Sequence, residues 1–227
     1  MKKLATSLLL LGAATAAHAQ TSAGTFLLSG SVGYNSNKEE RTVRSLTSEQ
    51  TMRAFRFSPL TGYFVADNLA VGLVGDIQTS RIESPDSYYD LGNGTIRYSV
   101  VSKNSSKSIG PFLRYYKMVG EKVAFYGQLS GNYQSGTGST DSSDSFYGPS
   151  KTRTTGFSGT VTPGFVFFPT NKLGLELTMG NLGYSSTEIS QEATMQRLAT
   201  KTKSSGFGTY FGLQSLSIGA SLHLGGK

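Results

Sequence analysis

The chain contains no cysteine and no tryptophan. Without thiols, neither disulfides nor a thiolate metal site can staple the fold. Charged residues make up only 15% of it. Beyond the N-terminal leader the only histidine is His223. No H-E-x-x-H zinc motif occurs, and no G-x-x-x-x-G-K-[ST] phosphate cradle. Long apolar runs are missing too, apart from one at the start, so no later segment can cross a membrane as a helix.

That one run reads as a secretory signal peptide over residues 1–19. Lys2 and Lys3 form its charged start, Leu4 to Ala16 its apolar stretch, and Ala17-His18-Ala19 its cleavage site. The apolar stretch is shorter than the roughly 20 residues a spanning helix needs, which disfavours an uncleaved anchor. With no cysteine at the cleavage site, lipoprotein processing is excluded. Cleavage lowers the formal net charge from +7 to +5 by removing Lys2 and Lys3. An exported, modestly basic chain has no nucleic acid partner; phosphorylated lipid headgroups suit its cations better. Residues 20–227 are long enough to form one domain with a core of its own.

What the sequence does have is glycine, 28 residues of it, aromatics at 11%, and a repeat. Pro59, Pro111 and Pro163 are evenly spaced, and each is followed at the same offsets by an aromatic pair: Tyr63-Phe64, Tyr115-Tyr116 and Phe167-Phe168. A short polar turn follows each pair, and then an alternating strand. A period of this size is an internal repeat whose unit is a hairpin. In Phe57–Gln78, Leu69, Val71, Leu73 and Ile77 alternate with smaller or polar residues, which places one set on each face of a strand.

Read in order, the pattern gives eight strands, near residues 25–35, 52–65, 69–81, 107–117, 123–134, 154–168, 173–184 and 206–224. A slip of phase near Gln214-Ser215 reads as a β-bulge. Alternation of Ile96, Tyr98 and Val100 allows one hairpin to extend well beyond a membrane. The connectors alternate long and short, and the long ones, such as residues 35–51, 135–151 and 185–205, are polar. An even strand count, alternating faces and alternating connectors fit an all-β, eight-stranded antiparallel transmembrane β-barrel with short periplasmic turns and four long extracellular loops. A soluble sandwich would alternate as well, but would not explain an apolar-aromatic face on every strand. A lipocalin-like barrel would line its interior with apolar residues, whereas the polar phase here is rich in Ser, Thr, Gln and Asn.

The segment Gly62–Gly72 and the closing Leu216–Leu224, LSIGASLHL, resemble the small outer-membrane β-barrel proteins of Gram-negative bacteria, the porin-family or OmpA/OmpX-like type as found in Bacteroidetes. The resemblance covers nearly the whole chain beyond the leader. It implies a cell outer membrane location, insertion by the barrel-assembly machinery, a monomer, and no peptidoglycan-binding domain. Such proteins typically end on an aromatic residue that the machinery recognises. This chain ends Leu224-Gly225-Gly226-Lys227, so recognition either falls to Leu224 or is weaker.

In lipid every backbone polar group needs an internal partner, and closure removes the sheet edges. Eight strands leave an interior filled by side chains. Tyr63, Tyr115 and Phe167 recur beside the short turns as a periplasmic-side aromatic girdle. Arg56, Asp76, Arg114 and Glu176 share the polar phase and are expected to pair in the lumen, as a salt-bridge gate or as plain neutralisation. Strand adjacency pairs Arg56 with Asp76; Arg114 and Glu176 must meet across the lumen. Arg53, Arg81, Lys107, Lys151, Arg153, Lys201 and Lys203 gather where long connectors meet strands, a candidate rim for lipopolysaccharide phosphates. Some outer-membrane barrels are lipid A deacylases with a His and a Ser, but Ser221 and His223 fall at the wrong end for the outer leaflet. No catalytic residue, cofactor or metal site is assigned. Two functions remain: a non-enzymatic envelope surface protein acting through its extracellular loops in adhesion, shielding or partner binding, and a passive small-solute channel.

Overall fold

The computed structural model describes residues 20–43, 46–90, 95–143, 149–192 and 198–225. The leader, residues 1–19, lies outside them. Eight strands follow one another around a closed antiparallel barrel: β1 (Phe26–Val43), β2 (Leu46–Ala66), β3 (Leu69–Asp90), β4 (Thr95–Met118), β5 (Val123–Ser142), β6 (Ser150–Phe167), β7 (Leu173–Gln191) and β8 (Thr200–Leu224). The three short turns fall where the repeat places them. At the first, Asn68 adopts a left-handed φ of 66°, which asparagine tolerates better than most residues.

The polar segments expected to be loops are for the most part strand. β1 and β2 run in register up to Val43↔Leu46, and β3 and β4 up to Asp90↔Thr95. The reason is physical. Beyond the apolar belt both faces meet water, so burial no longer selects alternate residues, and strand pairing alone carries the ladder on. Cross-strand polar contacts help. Lys38 Nζ lies 3.1 Å from Glu49, Thr42 and Thr47 hydroxyls are 3.0 Å apart, and Arg97 pairs with Asp86.

Each repeated proline has a ladder to answer for. The β2–β3 pairing skips Pro59, the β4–β5 pairing skips Pro111, and the β6–β7 register shifts beside Pro163. Proline has no N–H to donate, so it sits where a ladder is interrupted. The expected phase slip in β8 is also present. Met179 pairs with Leu216 but Gly180 pairs with Phe211, so four residues of β8 have no partner on β7.

Phe26, Tyr63, Tyr115, Phe125 and Phe167 point outward near the turns. A second outward set, Tyr34, Phe55, Tyr133, Phe157, Tyr184 and Phe207, lies farther along the strands. Between the sets run exposed Leu28, Val32, Leu73, Ile77, Leu113, Leu129, Val161 and Ile218. From Phe125 to Tyr133, or Phe157 to Phe167, a tilted strand rises roughly 20–25 Å. An exposed apolar belt of that height between two aromatic rows matches the hydrocarbon of a bilayer rather than water.

The interior has two layers. Toward the turns it is filled by Leu27, Leu60, Phe64, Phe112, Tyr116, Tyr126, Val166 and Phe168, all buried. The second aromatic of each repeated pair belongs here: Phe64, Tyr116 and Phe168 are at most 1% exposed. A Cβ on Gly72 would lie 2.1 Å from the Thr61 carbonyl and 2.9 Å from the Phe112 ring, so only glycine lets that ring lie against the wall. Above this plug the interior is a polar cup of about 830 Å³.

Candidate functional site: lumen ion pairs and an outer cationic trough

Between plug and cup sits Arg114. Its Nη1 lies 3.0 Å from each Glu176 carboxylate oxygen and donates to the Tyr116 hydroxyl at 3.0 Å, while Nε donates to Gln128 Oε1 at 2.9 Å. Its guanidinium carbon stands 4.3 Å from the centre of the Tyr126 ring. The pair is 5% and 6% exposed. A charge that dry survives only when it is paired and its hydrogen bonds are met. The charge comes from β4 and its partner from β7, across the lumen. Higher in the cup, Arg56 Nε on β2 lies 2.6 Å from Asp76 on β3, which also accepts from Ser58 at 2.6 Å. Here the arginine is exposed.

At the turn end, His223 is the hub of the plug. Its ring centre is 5.1 Å from Phe168, 5.7 Å from Phe64 and 6.2 Å from Tyr116. Its Nδ1–H donates to the Gln20 carbonyl at 2.8 Å, which leaves Nε2 to accept from Ser221 Oγ at 3.3 Å. Residues 20–25 fold over this mouth, with Thr21 Oγ1 donating to Asn68 at 2.6 Å and Ala23 N–H to Asp67 at 2.9 Å. A serine–histidine contact is thus present, but both residues are within 2% of full burial, so no substrate reaches them. Among the described residues no group of three His, Asp or Glu side chains is placed to hold a metal.

The seven rim cations all share the outward phase, but they do not form one group. Lys201 and Lys203 lie 2.7 and 3.6 Å from Glu188 on β7. That carboxyl is held below the usual range, first by the Lys201 hydrogen bond and then by the two charges. Lys107 lies lower, opposite Ile77. The other four converge. Arg53, Arg81, Lys103, Ser139 and Lys151 form one row across β2 to β6, each in direct register with the next. A second row below it runs Phe55, Thr79, Ser105, Thr137 and Arg153. Between the two rows is a hollow of about 740 Å³ on the outer wall, just beyond the second aromatic row. Lys103 completes this trough. Sequence reading missed it because it took residues 82–106 for a loop, where strand phase has no meaning. Arg53 faces Arg81, and Arg81 faces Lys103; two carboxylates stand near these cations, Glu83, 2.6 Å from Arg81 Nε, and Glu192, which lines the trough beside Lys151. Like charges directly opposite each other in a sheet repel; an anion in the trough would relieve that.

No family model matches the chain, and no curated protein does. Solved structures do. The outer membrane protein OprG from Pseudomonas aeruginosa aligns with a TM-score of 0.52 at 16% identity, over 91% of this chain and 98% of its own. The fold is that of the small outer-membrane barrels. Ail, the attachment invasion locus protein of Yersinia pestis, gives 0.32 at 14% identity over 89% and 99%. Neisserial surface protein A gives 0.33 at 16% over 88% and 97%.

Proposed function

We infer that this chain is a non-enzymatic surface protein of the outer membrane, exported by a cleaved leader, whose outer wall binds phosphates of lipopolysaccharide. The observation that carries the reading is the trough. Five arginines and lysines in two strand-register rows, Arg53, Arg81, Lys103, Lys151 and Arg153, face outward at the level where headgroups meet the belt. Charge-assisted contacts, bidentate from arginine, suit phosphate there. The working surface is then the strand wall itself rather than long loops. A solute channel is the weaker reading, because the aromatic plug and the Arg114–Glu176 layer fill the barrel below the cup.

The test compares thermal stability with and without lipopolysaccharide in the parent and in a Lys151→Ala/Arg153→Ala variant. A ligand that prefers the native state raises apparent stability by mass action. The parent is expected to shift upward and the variant less. Equal shifts would remove Lys151 and Arg153 from the site; no shift in either would discard phosphate binding.

A further inference from the structure

The barrel is closed by a short seam. β1 pairs with β8 over only Phe26↔Leu224 to Gly30↔Ala220, whereas β1 pairs with β2 along its whole length. From Ser31 upward β1 has no described partner on the β8 side, although Tyr34 and the second aromatic row lie farther on. The unpaired stretch therefore falls within the apolar belt, in its outer half. Unsatisfied backbone groups facing hydrocarbon are costly. Val32 and Ile218, on the two lips, are 67% and 76% exposed, more than apolar neighbours such as Leu222 at 45%. The cup reaches this opening: Ser31, Gly33, Ser217 and Gly219 are part of its lining.

We propose that the cup holds the uncharged, hydroxyl-rich headgroup of a single-chain amphiphile whose tail leaves through the β1–β8 opening into the outer leaflet. Two observations fix the chemistry. The charges that point into the cup are matched in two pairs, Arg56–Asp76 and Arg114–Glu176, so no net charge selects an ionic head. The rest of its polar lining is hydroxyl and amide, including Ser58, Ser130, Thr160, Asn132 and Gln134. The volume lies in the range of ordinary ligand sites. The plug closes the cup below, and the lips are apolar on their outer side, so a tail has one lateral way out. Phosphorylated lipid A does not suit this cup, which keeps the inference independent of the trough.

The probe is octyl glucoside, whose head is neutral and hydroxyl-rich, with dodecylphosphocholine as the charged comparison. Isotope-labelled protein is refolded in micelles of each, and nuclear Overhauser contacts are sought from headgroup protons to the side-chain amides of Gln128 and Asn132. Contacts are expected with the glucose ring, and not with the choline methyls. Two variants narrow the opening from either lip, Ser217→Phe and Ser31→Trp; tail contacts to Leu113 and Leu129 on the outer face report that each has folded. Loss of the glucose contacts in a folded variant supports entry through the opening. Absence of glucose contacts in the parent would overturn the proposal, as would their persistence in both folded variants or equal contacts from phosphocholine.

Discussion

Arg114 carries a full charge into the driest layer of the molecule, and it does so with four polar contacts in place. Removing one partner leaves the other buried and alone. Arg114→Met is therefore expected to cost about 3–5 kcal/mol, while Arg114→Met/Glu176→Met costs less than that single change. Urea unfolding from lipid vesicles measures both, and a double variant weaker than the single would refute the paired account. Depth along a strand is also a residue-scale matter. Leu129 lies midway between Phe125 and Tyr133 on β5, whereas Leu175 is in register with Phe167 of the lower aromatic row. The phase of Leu173, Leu175 and Leu177 alone cannot tell these depths apart. Leu129→Arg is expected to cost about 2–4 kcal/mol and Leu175→Arg about 0–1 kcal/mol. Similar losses in refolded bilayers would mean that the belt is misplaced.

β7 and β8 show how an element bends to its neighbours. Their registers part at Met179 and Gly180, where Gly180 has φ of 106° and a Cβ would meet the Tyr210 carbonyl at 1.9 Å. Gly180→Ala is expected to cost more than about 1 kcal/mol, read as a lower urea midpoint with an unchanged slope. Beyond the belt the same hairpin carries Glu188 between Lys201 and Lys203. A carboxyl with a depressed folded-state pKa stabilises the hairpin above its unfolded pKa, and that contribution disappears as pH falls through the lower, folded value. Because the group is solvent-exposed, the effect is confined to acid conditions and is weak in salt. Carbon-13 titration of Glu188 should show a midpoint below the usual glutamate range, moving upward in Lys201→Gln. An unmoved midpoint would mean that the Lys201 contact is absent in solution.

On the scale of the whole molecule, the barrel is a cup on a sealed base. Phe64, Tyr116, Phe168 and His223 fill its turn end, and residues 20–25 cover them. A planar bilayer containing the refolded protein is expected to show no steady unit conductance; reproducible steps would revive the channel reading. The strand wall stands well clear of the belt, so the same molecule carries an apolar belt, a cationic trough beyond it and a lateral gap in its wall. Each arises from a different part of one sheet.

Strand number, strand phase and the position of the tight turns were determined by the sequence alone, because a belt facing lipid and an interior facing side chains impose a period of two on the chain. The same phase put Arg56, Asp76, Arg114 and Glu176 inside and the rim cations outside. Where water meets both faces that constraint lapses, and so β1 from Asn35 to Val43 and β4 from Thr95 to Ser106 looked like loops. Tertiary structure decided what period alone cannot carry: which residues of different strands share a level. Arg53, Arg81, Lys103 and Lys151 become one row only through register across β2 to β6. The inward aromatic of each repeated pair becomes a plug only when β2, β4 and β6 converge on His223 of β8. The opening above Gly30 exists only because the last strand stops pairing with the first beyond Ala220. Register is a relation between strands far apart in sequence, and no local pattern within one of them records it.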